Sequence, residues 1–218
     1  MCNEKSKDDL TIIEGESITV EHIKQILNLD KLVYDECYQN TLESSMDGFE
    51  RNSDTYTMLY SSSADKIVAY VLVTAITDEY YDLIKSGRLI DAYLPPEAAV
   101  SYDHPGIYNL YFSSVVIHPD YQMVGVLKYL LEAFVEKLIS LGDEGFYMKR
   151  VVADAVTDKG EKFCSLVGMD RLYESDHNSV IYEMELLPPK FKAITTAHAK
   201  FYDYYMEVSK RLFGDRDI

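Results

Sequence analysis

Apolar residues along this chain follow two periods, and the places where one period gives way to the other mark out its elements. Residues 10–13 form a short apolar strand. Thr19 can cap a helix over residues 20–34, where Ile23, Ile26, Leu27, Leu29 and Val33 recur at helical spacing. Asp47-Gly48 and Asn52-Ser53-Asp54 read as loops. Residues 55–61 and 66–76 are two strands joined by the turn Ser62-Ser63-Ala64-Asp65. The second is β-branched and almost continuously apolar, as a central strand is. Asp78 can cap a helix through Lys85 that ends at Gly87. Residues 89–106 contain Pro95, Pro96 and Pro105 and show no sustained period. A loop of that length inside a compact domain is usually functional or disordered.

Residues 107–117 give the next strand. Residues 125–141 give the clearest helix, with Leu127, Leu130, Leu131, Phe134, Leu138 and Leu141 along one face and Gly142 as its stop. A strand over residues 149–155 follows, then a helix capped by Thr157 and closed by Gly168. Two paired strands at residues 170–173 and 180–186 come next. Pro188-Pro189 separates this body from a terminal helix striped by Ile194, Ala197, Phe201, Tyr204, Tyr205, Val208 and Leu212. The alternation predicts an α/β fold with a mixed sheet and helices on both faces. The expected organisation is a polar tail over residues 1–9, a folded domain over 10–187 and a helical extension over 188–218.

Composition narrows the function classes. The formal net charge is −16, from 37 acidic and 21 basic residues. Such a chain is a poor general ligand for nucleic acid, whose phosphates must be neutralised by a basic face. An acidic cleft suits a cationic partner, a small amine, polyamine or basic peptide. Most of this charge also serves as a solvated, solubilising surface. No apolar run approaches the ~18 residues that read as a membrane span, and residues 1–9 show no secretory pattern. The cysteines Cys2, Cys37 and Cys164 are odd in number and far apart. They fit reduced thiols in a cytoplasmic compartment and no zinc site.

The most informative segment is Tyr111-Phe112-Ser113-Ser114-Val115-Val116-Ile117-His118-Pro119-Asp120-Tyr121-Gln122-Met123-Val124-Gly125-Val126-Leu127. It reads as a buried strand, a short turn and the start of an apolar helix. The turn enters the helix through a glycine, with no acidic side chain after Asp120. Unpaired backbone N–H groups at such a helix start attract phosphate.

This segment resembles the hallmark of the GNAT superfamily of acyl-CoA-dependent N-acyltransferases. That hallmark is a strand ending in an apolar-x-Pro turn, then Arg or Gln, two residues, Gly, one residue, and Gly or Ala. Gln122 and Gly125 match, and Leu127 departs from the second small position. A second landmark is an aromatic helix ending in Gly-Phe. Phe163-Cys164-Ser165-Leu166-Val167-Gly168-Met169 matches it at Phe163 and Gly168. The resemblance covers about residues 10–187. It implies a mostly antiparallel GNAT-like sheet and acetyl-CoA or another acyl-CoA as co-substrate, with no metal. By analogy Val115, Val116 and Ile117 contact pantetheine and thioester through the main chain. Residues Gln122, Met123, Val124, Gly125, Val126, Leu127 and Lys128 surround the pyrophosphate, and Thr157 touches the pantetheine arm. His118 belongs to the turn.

The implied reaction is direct attack of an amine on the thioester. It needs a proton acceptor, an oxyanion donor and stabilisation of the departing thiolate. The candidates on this chain are Ser114, Asp154 and Cys164, with Asp103, His104 and Tyr173 behind them. Ser114 is too weak a base alone and would pass a proton onward. Cys164 is either a proton donor or a small buried residue on a helix face. Lys128, Lys159 and Lys162 can screen phosphates or stand solvated. Two other readings fit the same residues. One is a GNAT-fold protein that binds acyl-CoA as a sensor without turnover. The other is an interaction module whose terminal stripe docks a partner or a second copy of the chain as a homodimer.

Overall fold

The computed structural model describes residues 9–89, 94–122, 125–191 and 195–214, with Cys37 described for its main chain only. Among the described residues seven strands form one mixed sheet in the order β1-β2-β3-β4-β5-β7-β6. They are β1 (Leu10–Glu14), β2 (Tyr56–Ser61), β3 (Lys66–Ile76), β4 (Gly106–Ile117), β5 (Phe146–Ala155), β6 (Asp170–Glu174) and β7 (Val180–Glu185). The β1/β2, β2/β3, β5/β7 and β6/β7 ladders are antiparallel, and β4/β5 is parallel. The helices are α1 (Val20–Asp30), α2 (Leu42–Arg51), α3 (Asp78–Lys85), α4 (Val126–Asp143), α5 (Asp158–Leu166) and α6 (Thr196–Phe213). α4 is the crossover that a parallel pair requires. Among the described residues no helix is long and apolar enough to cross a membrane.

The chain divides into two compact units. One holds the described residues up to Leu72 and Ser114–Phe134; the other holds Val73–Ser113 and Val135 onward. In the first, Thr19 caps α1 by accepting the His22 N–H, and the His22 ring accepts the Thr19 N–H in return. Ile23, Ile26 and Leu29 then pack against Tyr56, Met58, Tyr70, Leu72 and Val116. α1 stops at Asp30, short of the expected Tyr34. Leu32 and Val33 donate to the carbonyls three residues back, so the last turn tightens and both side chains swing into solvent.

α2 is an element the sequence reading took for loop. Thr41 caps it, and Asp47-Gly48 lie inside it. Met46 and Phe49 pack on the α1 core, and that burial overrides the local turn signal.

The second unit is built around β4, β5, β7 and β6. Tyr81 and Ile84 of α3 meet Ile76, Tyr111, Val152 and Ile181. Thr77, one residue before the expected Asp78, caps α3. The proline-rich stretch returns along β3, with Val100 N–H donating to Ala75 C=O and Thr77 N–H to Ala98 C=O. Residues 90–93 lie outside the description.

Gly142 does not end the helix as expected. α4 runs through it to Asp143, and the chain turns at Gly145, whose φ is +95°. A Cβ on Gly142 would come within 2.7 Å of the Tyr204 hydroxyl, so the glycine is there for close approach of α6. Phe201, Tyr205 and Val208 of α6 are buried, and the Met148 N–H of β5 donates to the Tyr205 hydroxyl at 3.0 Å. Ile194 of the expected stripe lies outside the described residues, and Leu212 is exposed.

Tyr205→Phe keeps the ring and removes the acceptor of a buried amide. Urea unfolding should show a loss of about 1–3 kcal/mol, the usual penalty for an orphaned buried donor. An unchanged midpoint would mean the bond contributes nothing.

Candidate functional site

The β4/β5 ladder runs from Gly106↔Phe146 to Phe112↔Ala153, whereas β4 itself continues to Ile117. Its last residues therefore extend beyond the part paired with β5. Side chains alternate along a strand. Val116 packs into the α1 core, and Ser114 shares its face.

Beyond Ile117 the chain is anchored before it turns. His118 N–H donates to Val68 C=O at 2.8 Å, and His118 Nδ1 accepts the Asp120 N–H at 3.2 Å. Lys66 Nζ lies 3.1 Å from His118 Nε2. The His118 side chain thus caps the tight turn Pro119–Tyr121. Tyr121 is buried, and Gln122 Nε2 folds back to donate to Ile117 C=O at 3.3 Å. Met123 and Val124 lie outside the described residues.

Gly125 has φ +110°, a region that side-chain-bearing residues rarely adopt. A Cβ there would meet nothing within 4 Å. Packing does not demand this glycine; the backbone angle does, and the space above it is open. The first hydrogen bond within α4 runs from Tyr129 N–H to Gly125 C=O. The N–H groups of Val126, Leu127 and Lys128 precede that ladder and have no acceptor inside the helix. No acidic residue occupies the first turn. Lys128 is exposed and pairs loosely with Glu132 at 3.6 Å, and Leu127 is half-buried. Donors, open approach and helix polarity together fit a phosphate group.

Ser114 belongs to a buried polar chain in the same unit. Its hydroxyl donates to the Tyr34 hydroxyl at 3.3 Å and is also within hydrogen-bonding reach of Tyr70. Tyr70, buried in β3, donates to Asp30 Oδ1. Asp30 is 6% exposed, and burial pushes its carboxyl up to about 6 against the opposing Tyr70 hydrogen bond. The sequence reading missed Asp30. The signal was present, because an acid stands where the stripe Ile23-Ile26-Leu27 calls for an apolar residue.

The other unit holds the remaining candidates. Burial raises the Asp154 carboxyl above the usual carboxylate range, against a Ser179 hydrogen bond and the nearby His177. Asp154 Oδ1 is buried with no hydrogen-bond partner among the described residues. Thr157 caps α5 by accepting the Gly160 N–H at 3.0 Å. Phe163 packs against Phe112, their rings 5.2 Å apart. Cys164 beside it is 3% exposed, and burial pushes its thiol up to about 12. Tyr173 donates to Lys85 C=O. Ser101 donates to Asp103, and the His104 carbonyl accepts from Tyr108. Asp103 and His104 precede β4, at the opposite end of the parallel pair from Asp154, about 25 Å away at the rise of a strand.

A scan against protein-family models gives no match, and neither does a search of curated proteins. Solved structures do match. The loading GNATL domain of CurA from Lyngbya majuscula is 14% identical with TM-score 0.57, over 81% of this chain and 97% of that one. The GphF GNAT-like decarboxylase, solved with isobutyryl-CoA, is 10% identical with TM-score 0.57, over 80% and 98%. Naa50 from Arabidopsis thaliana, solved with a CoA-containing bisubstrate analogue, is 9% identical with TM-score 0.51, over 80% and 97%.

The Asp30 carboxyl carries a pH signature. Its folded pKa of about 6 exceeds the unfolded value of 3.8. The folded chain therefore holds a proton that the unfolded chain has released between those values. Stability from this group is greatest below the window and falls as pH rises through about 6, by up to about 3 kcal/mol. Asp30→Asn should gain on the parent by that order between pH 4 and 7 in urea melts. Parallel pH curves would contradict the burial of a titrating acid.

Proposed function

From a chain that has the GNAT fold, we propose an acyl-CoA-dependent N-acyltransferase, an acetyltransferase by preference, that acts by direct attack of an amine. The observation that carries this reading is Gly125. It opens α4 at φ +110° beneath open space, ahead of three helix-start amides and with no acid in the first turn. Those amides suit the coenzyme A pyrophosphate, which would bind with the positive end of the helix dipole. Their geometry supports such binding although the net charge is −16. Close hydrogen bonds at a helix start act locally, whereas distant exposed carboxylates are screened by salt.

The extension of β4 beyond its β5 ladder supports main-chain contacts from Val115, Val116 and Ile117 to pantetheine and thioester. Gln122 steadies the strand end from which the turn departs. Thr157 uses its oxygen as a helix cap, and its own O–H proton is not spent in that bond. Ser114 is the hydroxyl we assign to the acceptor amine. Asp154 is a raised carboxyl in the other unit and a second candidate for proton uptake. Cys164 is assigned to packing. A thiol near 12 is a poor proton donor to a thiolate of ordinary pKa, ~8.5. The acceptor classes are a small amine, a polyamine or a basic peptide, and the compartment a reducing, cytoplasmic one.

Gly125→Glu and Gly125→Asn separate charge from strain, since both meet the same positive φ. Glutamate should weaken coenzyme A binding by about tenfold or more beyond asparagine, with unchanged circular dichroism. Equal affinity of the two variants by calorimetry would remove the pyrophosphate from this turn. Release of free thiol from acetyl-CoA with an amine panel then tests turnover. Binding without release from any amine favours the sensor.

A further inference from the structure

Asp30 stands where its chemistry costs stability twice. It is buried, and it lies in the last turn of α1, near the negative end of the helix dipole. An apolar side chain would continue the stripe of Ile23, Ile26 and Leu29 at no such cost. Retaining a carboxyl there needs another reason.

The surroundings supply one. From β3, Tyr70 donates to the Asp30 carboxyl. Tyr70 is acted on in turn by Asp30, by Tyr34 after α1 and by Ser114 of β4. Among the described residues no lysine, arginine or histidine is a hydrogen-bond or ion-pair partner of the Asp30 carboxyl. The line Ser114–Tyr70–Asp30 therefore joins a hydroxyl on the extended end of β4 to a buried acid through a single phenol. All three residues belong to the same unit.

We propose that Ser114, Tyr70 and Asp30 form a buried proton relay, with Asp30 as the store for the proton that the acceptor amine loses. The inference rests on the acyl-transfer reading and names its base. A neutral amine attacks the thioester carbon and the C–N bond forms. The Ser114 O–H turns from Tyr34 to Tyr70; the amine proton then passes to Ser114 Oγ as the Ser114 proton passes to Tyr70 Oη and the Tyr70 proton to Asp30. Each hydroxyl ends neutral, and the carboxylate becomes a carboxylic acid. The C–S bond breaks, its electron pair leaves on the coenzyme A sulfur, and Asp30 later releases its proton to solvent. Ser114 is the catalytic residue here. Tyr70 and Asp30 act through it. An acid raised towards neutrality is a better matched proton acceptor than an ordinary carboxylate.

The test pairs binding with turnover. Parent protein, Asp30→Asn, Asp30→Glu and Tyr70→Phe are titrated with coenzyme A by calorimetry. They are then assayed with acetyl-CoA and a polyamine, an arylalkylamine and a peptide with a free amino terminus. In the parent, kcat should rise with pH through a limb near 6. Asp30→Asn and Tyr70→Phe should keep coenzyme A affinity and the KM for acetyl-CoA, lose about 100-fold or more in kcat, and lose that limb. Asp30→Glu should recover part of kcat with a moved limb. A purely structural Asp30 would change the melting point and leave the pH profile alone. Parent-like kcat and an intact limb in Asp30→Asn or Tyr70→Phe overturns the relay and leaves the acyltransferase standing. Coenzyme A binding by the parent with no turnover of any amine also overturns the relay. Failure of the parent to bind coenzyme A brings down the functional reading and the relay with it.

Discussion

A backbone amide taken from water must find a partner, and β4 meets this demand in two ways along its length. Up to Phe112 it pairs with β5, residue for residue save one irregularity. After Phe112 the parallel ladder ends while the strand goes on to Ile117. The polar groups that β5 no longer serves must be satisfied otherwise. This one mismatch in length shapes the region. Val116 fixes the extended end from below by packing on α1. His118 pins its exit through Val68, and the tight turn then delivers the chain to Gly125. The phosphate site we propose at the start of α4 depends on a preceding strand end held in this way.

The electrostatics of the molecule show the same separation of local from global. An acidic chain presents helix-start amides with no nearby carboxylate on the same turn. Buried Asp30 lies in one unit and half-buried Asp154 in the other. Each is raised by desolvation against a hydroxyl hydrogen bond, and His177 also opposes the rise at Asp154. A hydroxyl stabilises a carboxylate without neutralising its charge, so burial still raises both carboxyls.

Most of the sheet was legible because its strands have strong local signals. The strand at 66–76 came out to the residue, and so did the Thr19 and Thr157 caps. Two failures share a cause. α2 and Gly142 were each misread from a local rule that tertiary contact overturned, while α1 ends early in a tightened last turn. Met46 and Phe49 hold α2 together across an Asp-Gly pair. Tyr204 explains a glycine that local rules read as a stop. At the site, the glycine turn was visible as spacing, but the positive φ that gives Gly125 its purpose is a property of the folded chain. Asp30 escaped notice because its partner, Tyr70, is 40 positions away in sequence.

The bond between Met148 and Tyr205 has a consequence for biosynthesis. A main-chain amide near the start of β5 waits for a hydroxyl that lies 57 residues further along the chain. Translation proceeds from the amino terminus, and domains fold as units while they emerge. The unit that contains β5 cannot complete its hydrogen bonding until α6 has left the ribosome. Until then that strand is a place where a nascent chain is open to holding factors or to misassociation.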